Sequence, residues 1–377
     1  MRVRVLTEVL LVGGAVAIGA TSLPQQSAAE QAPPTAKPPR AKSVSPEERV
    51  DAIARATVWQ PPPPLSKASL AGVPDQPREI TCTFLISHLG GTAPKFDCLL
   101  PSGKRVRVKY GTSPEVPSEV ASSRLLHALG FGADNMMLVE RVRCYGCPAE
   151  PFVTMKTLGL AGMEKLYGKV MDQSEYKDFE WAAVETRHYG RSIESDEVEG
   201  WAFFELGLID PGRGGAPRAH VDALRLLAVF LAHWDNKSEN QRLVCLSDQD
   251  WAAGQQCARP YAMLQDLGAA WGPRKVDLPK WEKAPIWTDR ASCTVSMDAL
   301  PYHGATFSPV KITEAGRKHL GGLLSQLTDL QLDDLFRGAR FDHTTGMIAL
   351  HASPIHEWVR VFKAKVSEII SGPACPQ

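Results

Sequence analysis

The chain has 377 residues, of which 44% are hydrophobic and 22% are charged, so it can bury a full core and has room for one large or two modest domains. Its 42 basic residues balance its 42 acidic residues, which gives a formal net charge of zero. This balance argues against a general nucleic-acid binder and gives no reason to expect an anionic membrane surface as the main partner.

The N-terminus has the pattern of an export signal. Arg2 and Arg4 precede an apolar stretch from Val9 to Ala20, and Ser27-Ala28-Ala29 is a suitable cleavage site. The apolar stretch is well below the ~20 residues that a bilayer helix needs, so no stable membrane span is expected. We therefore predict a signal peptide over residues 1–29 and an exported protein, periplasmic or secreted. A retained N-terminal anchor is the alternative.

Residues 30–77 are predicted to form a linker. Groups of prolines stand among polar residues there, and such a composition stays extended rather than packing. One short helix is expected within this segment, from about Ser45 to Thr57, with Ser45 as its N-cap.

The eight cysteines form an even set, which favours disulfide bonds in an oxidising compartment. Cys82 with Cys98, and Cys245 with Cys257, would each close a short loop between two strand-like segments. The C-x-x-C segment from Cys144 to Cys147 is ambiguous, because this spacing also suits zinc sites and redox dithiols. No second C-x-x-C and no paired His motif supplies the further ligands that zinc needs.

Three strand-like segments follow one another after Arg78 and are separated by glycine-containing turns: 80–87, 95–100 and 104–110. We expect them to pair as successive antiparallel strands. In the third, Val106, Val108 and Tyr110 share one face and Lys109 lies on the other, so its ammonium can be held toward whatever lies beneath the sheet. Taken alone, Lys109 is better explained as a solvated edge lysine like its neighbours.

A helix is predicted from Glu119 to Leu129, with Ser118 as its N-cap and Gly130 as its end. Glu119 then lies in the first turn, where the helix dipole favours an acid without any ligand.

Further elements are predicted downstream. Two more strands, Met136 to Arg143 and Phe152 to Thr157, flank the C-x-x-C turn and would complete a five-stranded region. Val198 to Leu208 is predicted to be a helix within a charge-rich segment. Other segments have apolar residues at helical spacing: 220–232, 313–324, 329–337 and 353–370.

The segment from His233 to Asn240 follows the most apolar of these helices and precedes a short apolar run. Within it Asp235 stands five residues before Asn240, with Lys237 between them. Phosphoryl transfer needs these groups in one loop: a carboxylate to orient a hydroxyl, an amide oxygen to hold a metal, and a cation near the moving phosphate. After another strand-like run, Asp266 begins an Asp-Leu-Gly turn that suits presentation of a carboxylate to Mg²⁺ or Mn²⁺.

These segments resemble the motifs of protein kinases. The loop resembles H-x-D-x-K-x-x-N, and the Asp266 turn resembles D-F-G with Leu in place of Phe. Residues 119–126 resemble the E-x-A-x-x-x-L helix pattern of the atypical kinases. Over residues 79–345 the chain is similar to that group, which includes HipA-type kinases, secreted Golgi casein kinases, spore-coat kinases and phosphatidylinositol kinases, and it would be an exported bacterial member.

The resemblance implies an α+β, two-lobed, protein-kinase-like fold. Its N-terminal lobe, residues 78–158, would be an antiparallel sheet with one helix, and its C-terminal lobe, residues 159–377, would be mainly helical. The glycine-rich loop departs from the kinase pattern, because Gly90 and Gly91 stand where G-x-G-x-x-G is expected. Two adjacent glycines can still bring backbone N–H groups to a phosphate.

The resemblance also implies roles for individual residues. Lys109 would contact the nucleotide phosphates, with Glu119, or alternatively Glu115, holding it in place. His233 would brace the loop rather than react. The remaining roles are orienting or deprotonating the acceptor (Asp235), stabilising the transferred phosphoryl group (Lys237), binding the metal (Asn240 and Asp266) and binding phosphate through the backbone (Gly90 and Gly91).

The resulting hypothesis is an exported phosphotransferase that uses ATP and Mg²⁺ or Mn²⁺ and acts on a protein, lipid or small molecule. Adenylyl transfer on the same fold and a pseudokinase that binds without turnover are the alternatives. ATP is scarce outside the cytoplasm, so nucleotide would have to be supplied there. The sequence leaves the acceptor and the oligomeric state open, because no motif defines them.

Overall fold

A computed structural model describes residues 43–72, 76–167, 172–246, 256–301, 305–344 and 351–376, which all belong to one compact unit, Pro34–Gln377. The predicted signal peptide lies outside the described residues. The mixture of helices and strands confirms the α+β class. In the described part of the chain, no helix is both long enough and apolar enough to cross a membrane.

The elements are named here in chain order. The strands are β1 (Glu79–Leu85), β2 (Lys95–Leu99), β3 (Arg105–Lys109), β4 (Asn135–Tyr145), β5 (Tyr176–Thr186), β6 (Arg191–Ser192), β7 (Gln241–Cys245), β8 (Pro260–Leu264), β9 (Thr294–Val295) and β10 (Val310–Lys311). The helices are α1 (Pro46–Ala54), α2 (Glu115–Leu129), α3 (Pro151–Leu166), α4 (Arg218–Leu231), α5 (Leu278–Lys283), α6 (Glu314–Leu324), α7 (Asp329–Gly338) and α8 (Ile355–Ile370).

The first five strands form a closed barrel in the order β1-β2-β3-β5-β4. β1, β2 and β3 are successive antiparallel neighbours, as predicted. The prediction of a purely antiparallel sheet is wrong, because β1 pairs with β4 in parallel and so closes the barrel. Alternate side chains fill the interior, including Val106, Val108 and Phe96, whereas Lys109 belongs to the opposite set, as its position in the strand predicts.

The fifth strand of the barrel is not the predicted one. Phe152 to Thr157 lies in α3, because Pro151 at the first helical position has a fixed φ that suits a helix start. The fifth strand is β5, which pairs with both β3 and β4. Strand structure therefore continues to Thr186, beyond the predicted boundary at residue 158, and the barrel is accompanied by two helices, α2 and α3, rather than one.

Helix α2 begins one turn earlier than predicted. Its first residue is Glu115, and Pro117 is tolerated because it lies in the first turn, where its missing N–H has no helical partner. Ser118 therefore lies inside the helix and is not its N-cap. The predicted end is confirmed, because Gly130 adopts a left-handed conformation with φ of 88° and caps the helix.

The described part of the predicted linker packs against the rest of the chain. α1 starts at the predicted N-cap, Ser45, which forms a capping box with Glu48. Ala52, Ile53 and Val58 are buried in the main core. The prediction of an extended tether is thus wrong for residues 43–72, because their apolar side chains are interspersed with the prolines and find a core to join.

The helical part of the chain is organised around α4, in which every residue from Val221 to Leu231 is buried. A helix that is buried on all sides belongs at the centre of a core, and α4 packs against α6. The predicted positions of α4, α6, α7 and α8 are confirmed to within a few residues. The helix predicted at 198–208 is reduced to a short 3-10 helix, Phe203–Leu208.

The cysteines of the described residues form four disulfides, and none is free. The predicted pairs Cys82–Cys98 and Cys245–Cys257 are confirmed. The C-x-x-C segment forms its own disulfide, so it does not hold zinc. The fourth bond, Cys293–Cys375, has a sequence separation of 82 residues and ties the end of the chain to the core.

The disulfides are expected to differ in their contribution to stability. In the chain-entropy description, restriction of the unfolded chain by the long Cys293–Cys375 loop stabilises the folded state by about 4.5 kcal/mol, and the short Cys82–Cys98 loop stabilises it by about 3 kcal/mol. Double Cys→Ala variants of the two pairs, compared by denaturant unfolding, should therefore show the larger loss for the 293–375 pair. Equal losses, or the reverse order, would contradict this account.

Candidate functional site

The β7–β8 hairpin joins the two segments that the sequence singles out. The strands are antiparallel, with Gln241 opposite Leu264, so the residue before β7 lies beside the residues after β8. The backbone carbonyl of Asn240 accepts hydrogen bonds from the N–H groups of Gln265, at 2.9 Å, and Asp266, at 3.1 Å. The loop before β7 and the Asp-Leu-Gly turn after β8 therefore form one site.

Asn240 and Asp235 are held together in this loop. The Nδ2 of Asn240 donates to the backbone carbonyl of Asp235 at 2.6 Å, and no described residue donates to its Oδ1. Burial raises the pKa of Asp235, Lys237 opposes this shift, and the charge of Asp266 adds to it. A half-buried carboxylate with a raised pKa is better suited to accept a proton than a fully solvated one.

The loop is braced from within by Asn236. Its Nδ2 donates to the carbonyl of His233 at 3.0 Å, and its Oδ1 accepts from the N–H groups of Thr306, at 2.7 Å, and Phe307, at 3.0 Å. Because this side chain is completely buried, the Asn-Lys-Ser sequon at this position does not present it for glycosylation. Lys237 is partly exposed and lies 3.8 Å from Glu239.

Lys109 and Glu119 form a buried ion pair. The Nζ of Lys109 lies 2.6 Å from both carboxylate oxygens of Glu119 and 3.4 Å from Glu185. The alternative partner, Glu115, instead pairs with Lys275. Burial alone would lower the pKa of Lys109, but the charges of Glu119 and Asp266 outweigh it and raise the pKa above the ordinary value, so the lysine stays cationic.

Asp266 interacts electrostatically with this ion pair. Burial would raise its pKa, but the charge of Lys109 prevails and holds it well below the usual value, so the carboxylate is ionised. Burial raises the pKa of Glu119, with Lys109 opposing the shift and Asp266 adding to it. Three carboxylates, Glu119, Glu185 and Asp266, thus lie near Lys109, and Lys95 is a second cation in the same field. Acids exceed lysines by one in this group, which leaves room for a further cation.

Helix α2 is fixed directly to the Asp-Leu-Gly turn. Ser118 Oγ donates to the carbonyl of Leu267 at 2.8 Å, and Leu267 is buried in the main core. The N–H of Gly268 donates to Asp266 at 3.2 Å, and a Cβ on this glycine would lie 3.0 Å from Glu119 Oε1. The turn and the helix therefore cannot shift independently, and the position of Glu119 depends on a small residue at 268.

Sequence reasoning missed two members of the site, Lys95 and Glu185. Lys95 lies directly opposite Lys109 in the β2–β3 pairing and is 7% exposed. Burial and the charge of Lys109 lower its pKa, whereas Asp266 raises it. No described residue accepts a hydrogen bond from its ammonium. The hairpin spacing that places residue 95 opposite residue 109 was readable, but Glu185 lies on β5, which was not predicted as a strand.

The two predicted glycines differ in their surroundings. Gly91 has φ of 68°, and a Cβ there would lie 3.1 Å from Lys95 Nζ, so this glycine belongs beside the lysine pair. Gly90 is exposed, and a Cβ there would meet nothing within 4 Å. The structure thus brings Gly91 to the site and leaves Gly90 at its edge.

The oxygen atoms offered by the loop and the turn suit a divalent cation. Among the described residues, the sulfur atoms of Cys82, Cys98 and Cys144 are the one group of three His, Cys, Asp or Glu ligand atoms close enough to hold a metal, and all three are oxidised in disulfides. Asp266 and the free Oδ1 of Asn240 offer two oxygen ligands. Mg²⁺ is commonly held by one or two protein oxygens together with phosphates and water, so these two residues fit it.

His233 predicts a pH dependence of stability. It is completely buried, and burial lowers its pKa to about 4 from 6.5. Because the pKa of His233 is lower in the folded state than in the unfolded state, the unfolded chain takes up the proton first as the pH falls. The free energy of unfolding is therefore unaffected above pH 6.5 and decreases by about 3 kcal/mol as the pH falls toward 4. Denaturant unfolding at pH 7 and pH 4 should show a smaller acid loss for His233→Asn than for wild type. The exposed His356→Asn is the control, and an identical acid loss in all three proteins would refute the assignment.

Comparison with known proteins gives few matches. No protein-family model and no curated protein matches the chain. Among solved structures it is similar to the proinflammatory kinase CtkA of Helicobacter pylori, with a TM-score of 0.37 and 11% identity, covering 78% of this chain and 94% of that one. It is also similar to a Golgi casein kinase with Mn and ADP bound, with a TM-score of 0.35 and 11% identity, covering 78% of this chain and 73% of that one. Both of these solved structures are kinases, and the similarity of the chain to each of them is low.

Proposed function

We propose that the protein is an exported, ATP- and metal-dependent phosphotransferase with a two-lobed, protein-kinase-like arrangement. The observation that supports this best is the buried Lys109–Glu119 pair with Asp266 in its field. Burying a lysine is costly unless it is paired, and a simple structural ion pair needs only one carboxylate. Here three acids lie near Lys109, with Lys95 as a second cation, and the group lies beside a loop whose Asp235 and Asn240 match the needs of phosphoryl transfer.

Nucleotide binding would use the barrel side of the site. Lys109 and Lys95 would contact the phosphates, and the turn at Gly91 would bring backbone N–H groups close to them. Asp266 and Asn240 would hold Mg²⁺ or Mn²⁺. The metal ion, when bound, neutralises charge on the phosphates. Glu119 would keep Lys109 oriented, so its effect on the reaction is one of positioning.

The transfer step would use the loop side of the site. Asp235 would orient the acceptor hydroxyl and take its proton as the oxygen attacks the terminal phosphorus and the bond to the leaving diphosphate breaks. Lys237, which is partly exposed beside Asp235, would stabilise the charge on the transferred group. His233 is buried and neutral, which supports a bracing role.

Four disulfides support an oxidising compartment outside the cytoplasm. Nucleotide would have to reach the protein there. No feature of the site selects among a protein, lipid or small-molecule acceptor, so the assay must not depend on a chosen one.

The test uses the purified chain with Mn²⁺ and ATP labelled on either the α- or the γ-phosphate. We expect release or transfer of the γ label, and no transfer of the α label, with Lys109→Ala as the inactive control. Transfer of the α label would instead establish adenylyl transfer. Nucleotide binding without any turnover would establish a pseudokinase. If neither binding nor turnover is found, the nucleotide site itself is wrong.

A further inference from the structure

A cavity of about 520 Å³ lies away from the Lys109 site. Its walls come from α2, β4, β5, the segment before β1, the end of α7 and the segment after α7. None of its lining residues belongs to the phosphotransfer site. Four arginines line it: Arg78, Arg124, Arg337 and Arg340.

Arg124 is the unusual member. Its Nη1 is shielded from solvent and has no hydrogen-bond partner, and no described carboxylate pairs with it. Burial lowers its pKa to about 10, and no acid among the described residues opposes this shift. The guanidinium fits only because glycines stand beside it: a Cβ on Gly338 would lie 2.7 Å from Nη1, and one on Gly72 would lie 3.2 Å from Nη2. Arg124 is half-buried, and partial removal of a cation from water without a partner is unfavourable, so an anion beside the guanidinium would be stabilising.

Arg340 lies on the same cavity and is also without an acceptor. Its guanidinium stacks on the ring of Trp181 at 3.7 Å, and a stacked guanidinium keeps its N–H edges free for an anion. Both residues have left-handed backbones, with φ of 62° for Arg340 and 51° for Trp181. The pairing of β4 with β5 is interrupted at Trp181 and at Glu140, the residue that would lie opposite it. Such strain in non-glycine residues is typical of ligand sites.

The other two arginines are neutralised by acids. Arg78 donates to Glu140 at 2.7 Å, and Arg337 donates to Asp333 at 3.0 Å and lies 3.8 Å from Asp342. The charge of Asp342 also acts on Arg340, so Arg340 is compensated in part, whereas no described acid compensates Arg124.

We propose that this cavity binds a phosphate-bearing small molecule, with its phosphate on Arg124 and Arg340 and its organic part in the remaining volume beside Trp181. Two guanidinium groups present more N–H donors than a carboxylate accepts, whereas a phosphate monoester has three terminal oxygens and up to two charges. The cavity is also much larger than a single inorganic anion, which leaves room for an organic part. This proposal does not depend on the proposed phosphotransfer.

The test is calorimetric titration of the full chain with phenyl phosphate, inorganic phosphate and benzoate at low salt, without metal. We expect phenyl phosphate to bind most tightly. Arg124→Met and Arg340→Asn should each weaken its binding by about tenfold or more. The asparagine suits the left-handed backbone at residue 340. Arg360→Met, which removes an exposed arginine paired with Glu282, is the charge-matched control and should bind like wild type.

Three results would overturn the proposal: no binding of phenyl phosphate to wild type at millimolar concentration, equal weakening by Arg360→Met, or loss of binding in Lys109→Ala. The last would place the anion at the phosphotransfer site instead. If Arg124→Met fails to fold, as judged by circular dichroism, Arg124→Lys replaces it. Arg124→Lys keeps the positive charge but loses the planar set of N–H donors of the guanidinium. Unchanged affinity for phenyl phosphate in both Arg124→Lys and Arg340→Asn would also refute the site.

Discussion

Asp235→Asn is expected to lower the rate of phosphotransfer by a factor on the order of 10² or more while leaving nucleotide affinity nearly unchanged. The amide has the same size as the carboxylate. The hydrogen bond from Asn240 goes to the backbone carbonyl of Asp235, so the substitution preserves it. The metal ligands also remain. What is lost is the group that accepts the proton. The measurement is γ-label release together with calorimetric ATP binding.

Two further variants show whether the effect of Asp235→Asn is specific to the catalytic step. Asp298→Asn, at an exposed position in the described residues, is the matched control and should retain the wild-type rate. Lys109→Ala should behave differently from Asp235→Asn, because it contacts the nucleotide in the ground and transition states alike and should weaken binding as well as rate. Rates within about threefold of wild type in Asp235→Asn would remove the catalytic role of the loop.

Asp266→Asn is expected to abolish the effect of Mg²⁺ or Mn²⁺ on ATP binding and to lower phosphotransfer by a factor on the order of 10³. The ionised carboxylate is one of the two oxygen ligands offered to the metal, and it is one of three acids around Lys109. Without this carboxylate, less negative charge remains to offset the positive charges of Lys95 and Lys109, which lie opposite each other. ATP should therefore still bind to the variant, through the lysines, without any need for metal.

The measurement is ATP titration of wild type and variant in the presence of metal or chelator. Asp266→Ala should lose metal dependence in the same way, whereas Asp298→Asn should keep it. If wild type binds ATP equally well with chelator, the metal roles of Asn240 and Asp266 are wrong. That outcome would favour the pseudokinase alternative.

The motifs could be predicted because each is a short continuous segment next to a well-marked element. The loop at Asp235 follows the fully buried α4, and Asp266 follows the buried strand β8. Antiparallel pairing of two strands joined in sequence is the simplest arrangement, and it brings Asn240 to Asp266.

The fifth barrel strand could not be predicted, because local composition was misleading in two places. Phe152 to Thr157 has the aromatic and β-branched residues of a strand, but Pro151 starts a helix there. β5 contains three charged residues near its start, Lys177, Asp178 and Glu180, because one face of a barrel strand lies outside the interior. These charges hid the alternation of apolar and polar residues that marks a strand. Tertiary pairing with β3 and β4 decides its structure.

The charges around Lys109 and Arg124 depend on contacts that sequence does not supply. Glu185 reaches Lys109 only through the β3–β5 pairing. Arg124 would be taken for a solvated helix residue by its sequence alone. Its isolation follows from how closely Gly338, more than 200 residues later, approaches it. Such residues become visible only when the fold brings distant segments together.

Closure of the barrel also bears on how the protein must be produced. The parallel β1–β4 pairing sets Cys82 opposite Cys144, and the Sγ atoms of Cys98 and Cys144 lie 3.9 Å apart although they belong to different disulfides. A thiolate at either position can therefore attack the neighbouring disulfide during oxidative folding, so thiol exchange between the two bonds is open to the nascent chain. The Cys82–Cys98 loop, with a separation of 16 residues, closes more readily than a bond across the 46 residues from Cys98 to Cys144. Oxidation of the β1–β2 hairpin before the barrel closes therefore favours the correct pairing, and a disulfide isomerase would rescue chains in which Cys98 bonds to Cys144 first.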